Sequence, residues 1–293
     1  MAARIAEQMD VPYLLSIQGN TDLKILRMRP DLRSVFRRTW HGAAHVFPFA
    51  PWAGNAVSAL LGKRSRPVTY LPCPGQSDRI YTPRITAPVV RTAFNLHDWK
   101  NKNVSALIKA IAIAAQDVPD IKLEVIGGGD ADAFARLSAL AERVAPRRVR
   151  FLGTVPNEHV QALLNASACF ALPSHRESYG LVFAEALLSG APCLIPKDRA
   201  IDGYFDDGSV LKTCLPRDVA SIANGLVEIL QNQRAFKERL EKLQRSGGLD
   251  HLRRNGIAQM YTSSLSGIEA KEAVKSEIWD VKASSRKGTL LPV

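Results

Sequence analysis

The sequence predicts an α/β protein built from parallel sheets covered by helices. Short apolar runs alternate with helical patterns along the whole 293 residues. After Pro88 this alternation repeats often enough to build one complete doubly wound sheet. Before Pro88 there are only three strand candidates. The first third therefore reads as a partial unit of the same Rossmann type, set beside a complete one.

Taken in order, residues 1–10 mix Arg4, Glu7 and Asp10 with alanines, so they read as an exposed helix without the apolar core of a secretion signal. Strand candidates follow at 12–18, 45–49 and 68–71, separated by a basic helical stretch and a loop rich in Pro and Gly. The second unit opens with a strand at 89–95 and a helix at 102–116. It continues with strand 122–126 and helix 131–145, strand 149–152 and helix 158–165, and strand 168–172 and helix 179–188. Strands 192–195 and 209–213 and a helix at 218–230 complete it. A charged helical stretch at 233–244 runs to the Gly247-Gly248 break, and another helical segment extends to about Ser264. The expected organisation is a partial N-terminal unit at 1–87, a complete unit at 88–248, a C-terminal helix at 249–264 and a flexible tail at 265–293.

With 46% hydrophobic residues, the chain has enough apolar material for a globular core. Its longest apolar stretch, 106–115, is interrupted by Lys109 and falls well short of the roughly 18 residues needed to span a bilayer. Cys73, Cys169, Cys193 and Cys214 are far apart and form no CxxC pair, so they read as reduced, structural thiols of a cytoplasmic protein. The net charge of +11 is uneven, with 12 Lys and Arg against 5 Asp and Glu in residues 1–90. Lys24, Arg27, Arg29, Arg33, Arg37 and Arg38 lie among Leu26, Met28, Val35, Phe36 and Trp40, the make-up of a basic amphipathic surface. An anionic membrane face is the preferred partner, with a peripheral position on the inner side, although the same cluster also reads as a solvated face. Nucleic acid ranks last, because no helix-turn-helix, zinc-ligand or RNP-type aromatic pattern accompanies the charge.

The richest segment runs from Leu172 to Pro192. It leaves the carboxyl end of a strand, where open α/β sheets bind ligands, and enters a helix. Gly180 permits close backbone approach, and the N–H groups of Gly180, Leu181 and Val182 face an anion with the helix dipole behind them. If the intervening residues are helical, Glu177 and Glu185 stand roughly 12 Å apart. That span suits the two ends of a nucleotide sugar. Glu185 lies among Ala184, Ala186 and Leu187, so its carboxylate needs hydrogen-bond donors, which ribose hydroxyls would supply. On spacing alone, Glu177 as a helix cap and Glu185 as an exposed residue fit slightly better, since Glu is common on helices.

Pro173, Ser174, Glu177, Tyr179, Gly180, Glu185, Ala186, Gly190 and Pro192 resemble, in order, the E-x7-E signature of family-4 glycosyltransferases. The resemblance extends to 123–130 (LEVIGGGD), to 149–154 (VRFLGT) and to the lysine-led stretch 102–110. It implies a GT-B-like fold and retaining transfer of a sugar from a UDP- or GDP-sugar donor to a glycan or lipid-linked acceptor. It also implies site roles. Glu177 holds donor-sugar hydroxyls and Lys102 neutralises the diphosphate. Glu185, Tyr179, Ser178, Gly180, Leu181 and Asn95 line the donor site, and the backbone of Leu152 and Gly153 meets the base. Gln18 and Gly19 lie on the acceptor side. Because Lys102 and a helix N-terminus would stabilise the leaving diphosphate, neither metal nor cofactor is expected.

The sequence departs from the family pattern at three places. Asn95 stands where an arginine is usual, leaving Arg91 or Lys100 as candidate second cations. Gln18 stands where a histidine is usual and cannot exchange protons at neutral pH. The first strand and glycine-rich loop of the N-terminal domain have no counterpart here. The alternative expectation is a non-catalytic nucleotide-sugar-binding fragment.

Overall fold

The computed structural model describes residues 2–266 and 268. Helix α1 (Ala2–Gln8) leads to strand β1 (Leu14–Ile17), helix α2 (Asn20–Met28) and helix α3 (Arg33–Gly42). Strand β2 (His45–Pro48) and helix α4 (Pro51–Leu61) follow. β1 and β2 pair in parallel. The expected third strand at 68–71 is reduced to a single bridge, Val68 to Val46. Residues 67–71 do run along β2, with Thr69 and Leu71 donating to the carbonyls of Val46 and Pro48. Pro48 has no N–H to return, so the ladder stops there.

The second unit is complete, as the sequence predicts. Its elements are β3 (Val89–Ala93), α5 (Val104–Ala114), β4 (Lys122–Ile126), α6 (Ala131–Val144), β5 (Val149–Gly153) and α7 (Asn157–Asn165). They continue with β6 (Cys169–Ala171), α8 (Leu181–Leu188), β7 (Cys193–Pro196), β8 (Leu211–Cys214) and α9 (Val219–Gln231). The sheet is wholly parallel, in the order β5-β4-β3-β6-β7-β8. Strand order reverses between β3 and β6, opening a crevice at their carboxyl ends.

Two helix starts fall later than expected. The helix expected from Lys102 begins at Val104, because Asn103 adopts a left-handed conformation (φ 59°). The helix expected from Tyr179 begins at Leu181, because Gly180 does the same (φ 72°). Residues 178–180 are thus not helical, and the 12 Å helical separation expected between Glu177 and Glu185 does not apply. β8 starts two residues later than expected, after the Gly208 turn (φ 81°).

Three of the cysteines, Cys169, Cys193 and Cys214, sit buried on β6, β7 and β8, and all four are free thiols. Apolar packing explains why these strands read as continuous hydrophobic runs: β3, β6 and β7 are covered on both faces. On one face, Val90, Ile108, Leu123 and Leu226 join a core beneath α5 and α9. On the other, Phe170, Phe183 and Ile195 share a core with Ile17, Leu23, Trp40, Val46 and Trp52 of the first unit. The first unit is therefore held by burial rather than by a linker. At about 25 cal/mol per Å² of apolar surface, a shared core of this kind outweighs the few hydrogen bonds that cross between the halves.

Helix α10 (Gln233–Arg245) matches the expected charged stretch. Buried Lys237 donates to the carbonyls of Ser167 (2.8 Å) and Gly190 (2.7 Å), tying α10 to the ends of α7 and α8. Helix α11 (Arg254–Leu265) returns to the first unit. There Tyr261 packs 5.2 Å from the ring of Phe47, and Ser264 bonds the Thr69 hydroxyl at 3.0 Å. The expected tail lies outside the described residues apart from 265, 266 and 268.

Candidate functional site

The crevice between the two units contains a cavity of about 470 Å³. Its floor comes from the carboxyl ends of β3 and β6 and its roof from Gln18, Phe49 and Cys73 of the first unit. Asn95, Lys102, Glu177, Ser178, Tyr179, Gly180 and Leu181, all singled out by sequence, line it together.

Lys102 and Glu177 form the charged centre. The Lys102 ammonium lies 2.7 Å from Glu177 Oε2, and their side chains are only 19% and 13% exposed. Ser174 Oγ donates to the same oxygen at 3.3 Å. Local geometry fixes the pair. Asn103, left-handed just before α5, sends its side-chain amide to the carbonyls of Pro173 (3.1 Å) and Pro216 (2.6 Å). The turn that carries Lys102 is thereby bolted to the loop that carries Glu177.

Gly180 ends that loop. A Cβ there would meet the Phe183 ring at 2.6 Å and Glu177 Cγ at 3.1 Å, so both its positive φ and its crowding require glycine. Helix α8 starts at the next residue, and Leu181 and Val182, whose amides precede the first intrahelical hydrogen bonds, line the cavity. Tyr179 is buried, its hydroxyl has no partner among the described residues, and burial pushes the phenol well above its ordinary pKa.

Glu185 does not line this cavity. It lies one turn further along α8, where Oε1 accepts from the Gln76 amide at 3.2 Å and Gly75 packs against its side chain. Burial raises its pKa, and the Gln76 hydrogen bond opposes that shift. The covering strap is held by Arg254, whose guanidinium donates to the carbonyls of Gly75 (3.2 Å) and Gln76 (2.6 Å). The sequence reading gives this strap no role, since it lies past the third strand candidate at 68–71.

On the first unit, the amides of Gln18 and Gly19 both donate to the Asp22 carboxylate, at 2.7 and 2.9 Å, starting α2. Gly19 (φ 113°) leaves room for Trp52, which a Cβ would meet at 3.0 Å. Trp52 Nε1 in turn donates to the carbonyls of Ser178 (3.1 Å) and Ala200 (3.0 Å), joining the units beside the site. Sequence reading missed this residue, because an apolar tryptophan on a helix reads as ordinary core.

Other candidates lie elsewhere. Leu152 and Gly153 stand at the carboxyl end of β5, on the sheet edge and outside the cavity lining. Arg91 is buried in an ion pair with Glu124 at 2.6 Å and is no free cation for the cavity. Lys100 lies over the Trp99 ring, 5.6 Å from its centroid, and is not part of the lining. Asn95 reaches the cavity, with its Oδ1 accepting from the His97 amide at 3.0 Å. Three histidines are held by local partners: His41 meets the Leu61 carbonyl, His45 the Thr69 hydroxyl and His97 the Asp130 carboxylate.

Comparison with known proteins agrees with this fold. The chain is 30% identical over 141 residues to the phosphatidyl-myo-inositol mannosyltransferase of Mycobacterium tuberculosis; the match covers 46% of this chain and 36% of that relative. The chain thus spans little more than a third of that curated relative's length. Among solved structures, the sucrose-phosphate synthase of Thermosynechococcus elongatus superposes with a TM-score of 0.66 at 18% identity, covering 87% of this chain and 68% of that one. Anabaena HepE, in complex with UDP and glucose, superposes with a TM-score of 0.63 at 18% identity, covering 91% and 74%. Both share the fold. The family model described as "Glycosyl transferases group 1" matches residues 97–247, just over half of the chain. That stretch holds the Lys102–Glu177 pair, the Gly180 turn and α8, and by it the chain belongs to the group 1 glycosyl transferases.

Proposed function

We propose that the cleft binds a nucleoside-diphosphate sugar, UDP- or GDP-linked, and transfers the sugar to a glycan or lipid-linked acceptor with retention of configuration. The observation that carries this reading is the Lys102–Glu177 pair facing the Gly180 turn across one cavity. A diphosphate has somewhere to sit and a sugar has a carboxylate to bind. The likeness to HepE, solved with UDP and glucose, supports a UDP-sugar donor. The relative named for phosphatidyl-myo-inositol supports a lipid-linked acceptor.

In this reaction the acceptor oxygen bonds to the anomeric carbon as the carbon–oxygen bond to the diphosphate breaks. The bonding pair leaves on the diphosphate, and a phosphate oxygen takes the acceptor's hydroxyl proton. Lys102 and the first amides of α8 stabilise the leaving charge in a partly dry cleft, where such donors act most strongly. Glu177 holds sugar hydroxyls, Glu185, outside the cavity beneath the Gly75–Gln76 strap, takes the ribose in place of the Gln76 amide, and no metal is invoked.

α2, α3 and the turn between them expose Ile25, Met28 and Val35 beside Arg29 and Arg38, which suits a peripheral site on an anionic membrane. No helix among the described residues is long and apolar enough to cross a membrane. Arg33 and Arg37 donate to the carbonyls of Leu26 and Leu61, so they also serve the fold. Co-sedimentation with anionic vesicles, compared for the wild type and Met28→Ser/Val35→Ser/Arg38→Glu, tests the membrane site; equal binding removes it.

The donor reading is tested by calorimetric titration with UDP and GDP, beside Glu185→Ala. Saturable binding weakened in the variant, then release of the diphosphate from the matching sugar donor, is expected. A folded chain that binds neither nucleotide overturns the reading.

A further inference from the structure

Behind the wall formed by Trp52 and Ser178 lies a second cavity of about 660 Å³, also between the two units. Lys24 and Arg27 reach it from α2, and Arg176 and Arg199 from the loops after β6 and β7. Asp98 is the one acidic residue in its lining. None of the four cations is ion-paired among the described residues. Two buried polar atoms of this lining, Arg199 Nε and Asn101 Oδ1, have no hydrogen-bond partner among the described residues. Buried polar groups left in that state usually await a partner.

A neighbouring cavity of about 720 Å³ shares Arg176 and Arg199 and adds Lys197 and Arg217. Its one carboxylate, Asp218, is occupied in capping α9 through the amides of Ala220 and Ser221. Joined through Arg176 and Arg199, the two cavities line one basic region, here called the trough. Its field is felt at His175, whose pKa is lowered by burial first and then by Arg217 and Arg176. Self-repelling cations gathered from four separate segments need an anion to offset them.

Resting on the donor reading above, we infer that this trough is an acceptor subsite for a phosphate-bearing acceptor, its phosphate held between Lys24 and Arg27 on one side and Arg176 and Arg199 on the other. Guanidinium groups bind phosphate through paired hydrogen bonds as well as charge. Asn20 Nδ2 lies 3.5 Å from Ser178 Oγ, and Ser178 lines the donor cavity, so the phosphate sits one layer of side chains from the donor. An acceptor anchored there presents its hydroxyl toward the donor sugar. A lipid phosphate and a soluble sugar phosphate offer the same chemistry.

The test is a titration of the full chain with glucose 1-phosphate at saturating UDP, so that the donor cavity is filled, together with flotation on vesicles of phosphatidylglycerol in phosphatidylcholine. Arg27→Ser and Arg176→Ser, both exposed, are each expected to weaken phosphate binding about ten-fold while leaving the UDP affinity within about two-fold. Arg199→Gln serves as an independent second variant. Sugar-phosphate binding lost in these variants assigns a soluble acceptor. Vesicle binding lost in them, without sugar-phosphate binding, assigns a lipid phosphate. Neither binding, or binding that all three variants retain, overturns the subsite. Failure of UDP to bind would instead strike the donor reading, and the phosphate titration without UDP would still read the trough.

Discussion

Consider Lys102→Met, Glu177→Gln and the two combined. In the fold, the ammonium and carboxylate lie 2.7 Å apart with side chains 19% and 13% exposed. Removing one member of a fully buried pair costs about 3–5 kcal/mol, because the other is left charged and unpaired. The remaining solvent contact and the Ser174 hydroxyl lower that cost to about 2 kcal/mol for either single change. In the double variant no charge is stranded, so most of the loss should be recovered, giving a coupling of about 1–2 kcal/mol. Urea unfolding at pH 7 measures all four corners of the cycle. Binding should behave differently: UDP affinity falls with Lys102→Met and stays low in the double variant, since the diphosphate loses its cation in both. Additive unfolding energies with singles below about 0.5 kcal/mol would refute a partly buried pair. UDP affinity restored in the double variant would refute Lys102 as a phosphate ligand.

Gly180→Ala places a methyl 2.6 Å from the Phe183 ring at a left-handed position, so it should cost about 2–4 kcal/mol in urea unfolding and weaken UDP binding through displaced Glu177. Glu185 has its pKa raised by burial, so its contribution to stability is full below the unfolded pKa of about 4.3 and is lost as pH rises through its folded value. Glu185→Gln should therefore raise the melting temperature at pH 7 more than at pH 4.5; an equal change at both would refute the burial. For Lys237, burial lowers the pKa to about 8, so the folded chain binds fewer protons than the unfolded one between about pH 8 and 10.5, and stability rises with pH across that window. The whole effect is about 3 kcal/mol. Lys237→Met should flatten that slope in urea unfolding while stranding the Ser167 and Gly190 carbonyls.

The second unit of this molecule is legible in its sequence because its information is local. The Gly180 turn, the helix behind it and the Glu177 loop lie within one β6–α8 connection, and apolar runs on two-sided strands announce the sheet. Errors there are of one or two residues, at Asn103 and Gly180, where a left-handed backbone delays a helix that periodicity would start earlier. Glu185 shows the limit of local reading: its position on α8 is foreseen, but the strap at Gly75 and Gln76 that covers it comes from 109 residues away.

The basic trough is illegible for the same reason taken further. Lys24 and Arg27 belong to one helical pattern and Arg176 and Arg199 to two separate loops, in which each reads as a solvated charge, and only the shared core around Trp52 brings them to one cavity. The sequence shows the basic excess of the first third, and a membrane face is its simplest interpretation. Folding divides that excess. Met28, Val35 and Arg38 turn outward, and Arg37 is spent on the Leu61 carbonyl. Lys24 and Arg27 face the second unit's own arginines. Like charges gathered across an interface lower its stability. An anion bound between them, as in the proposed subsite, would offset that repulsion beside a cleft that already holds one paired cation, Lys102.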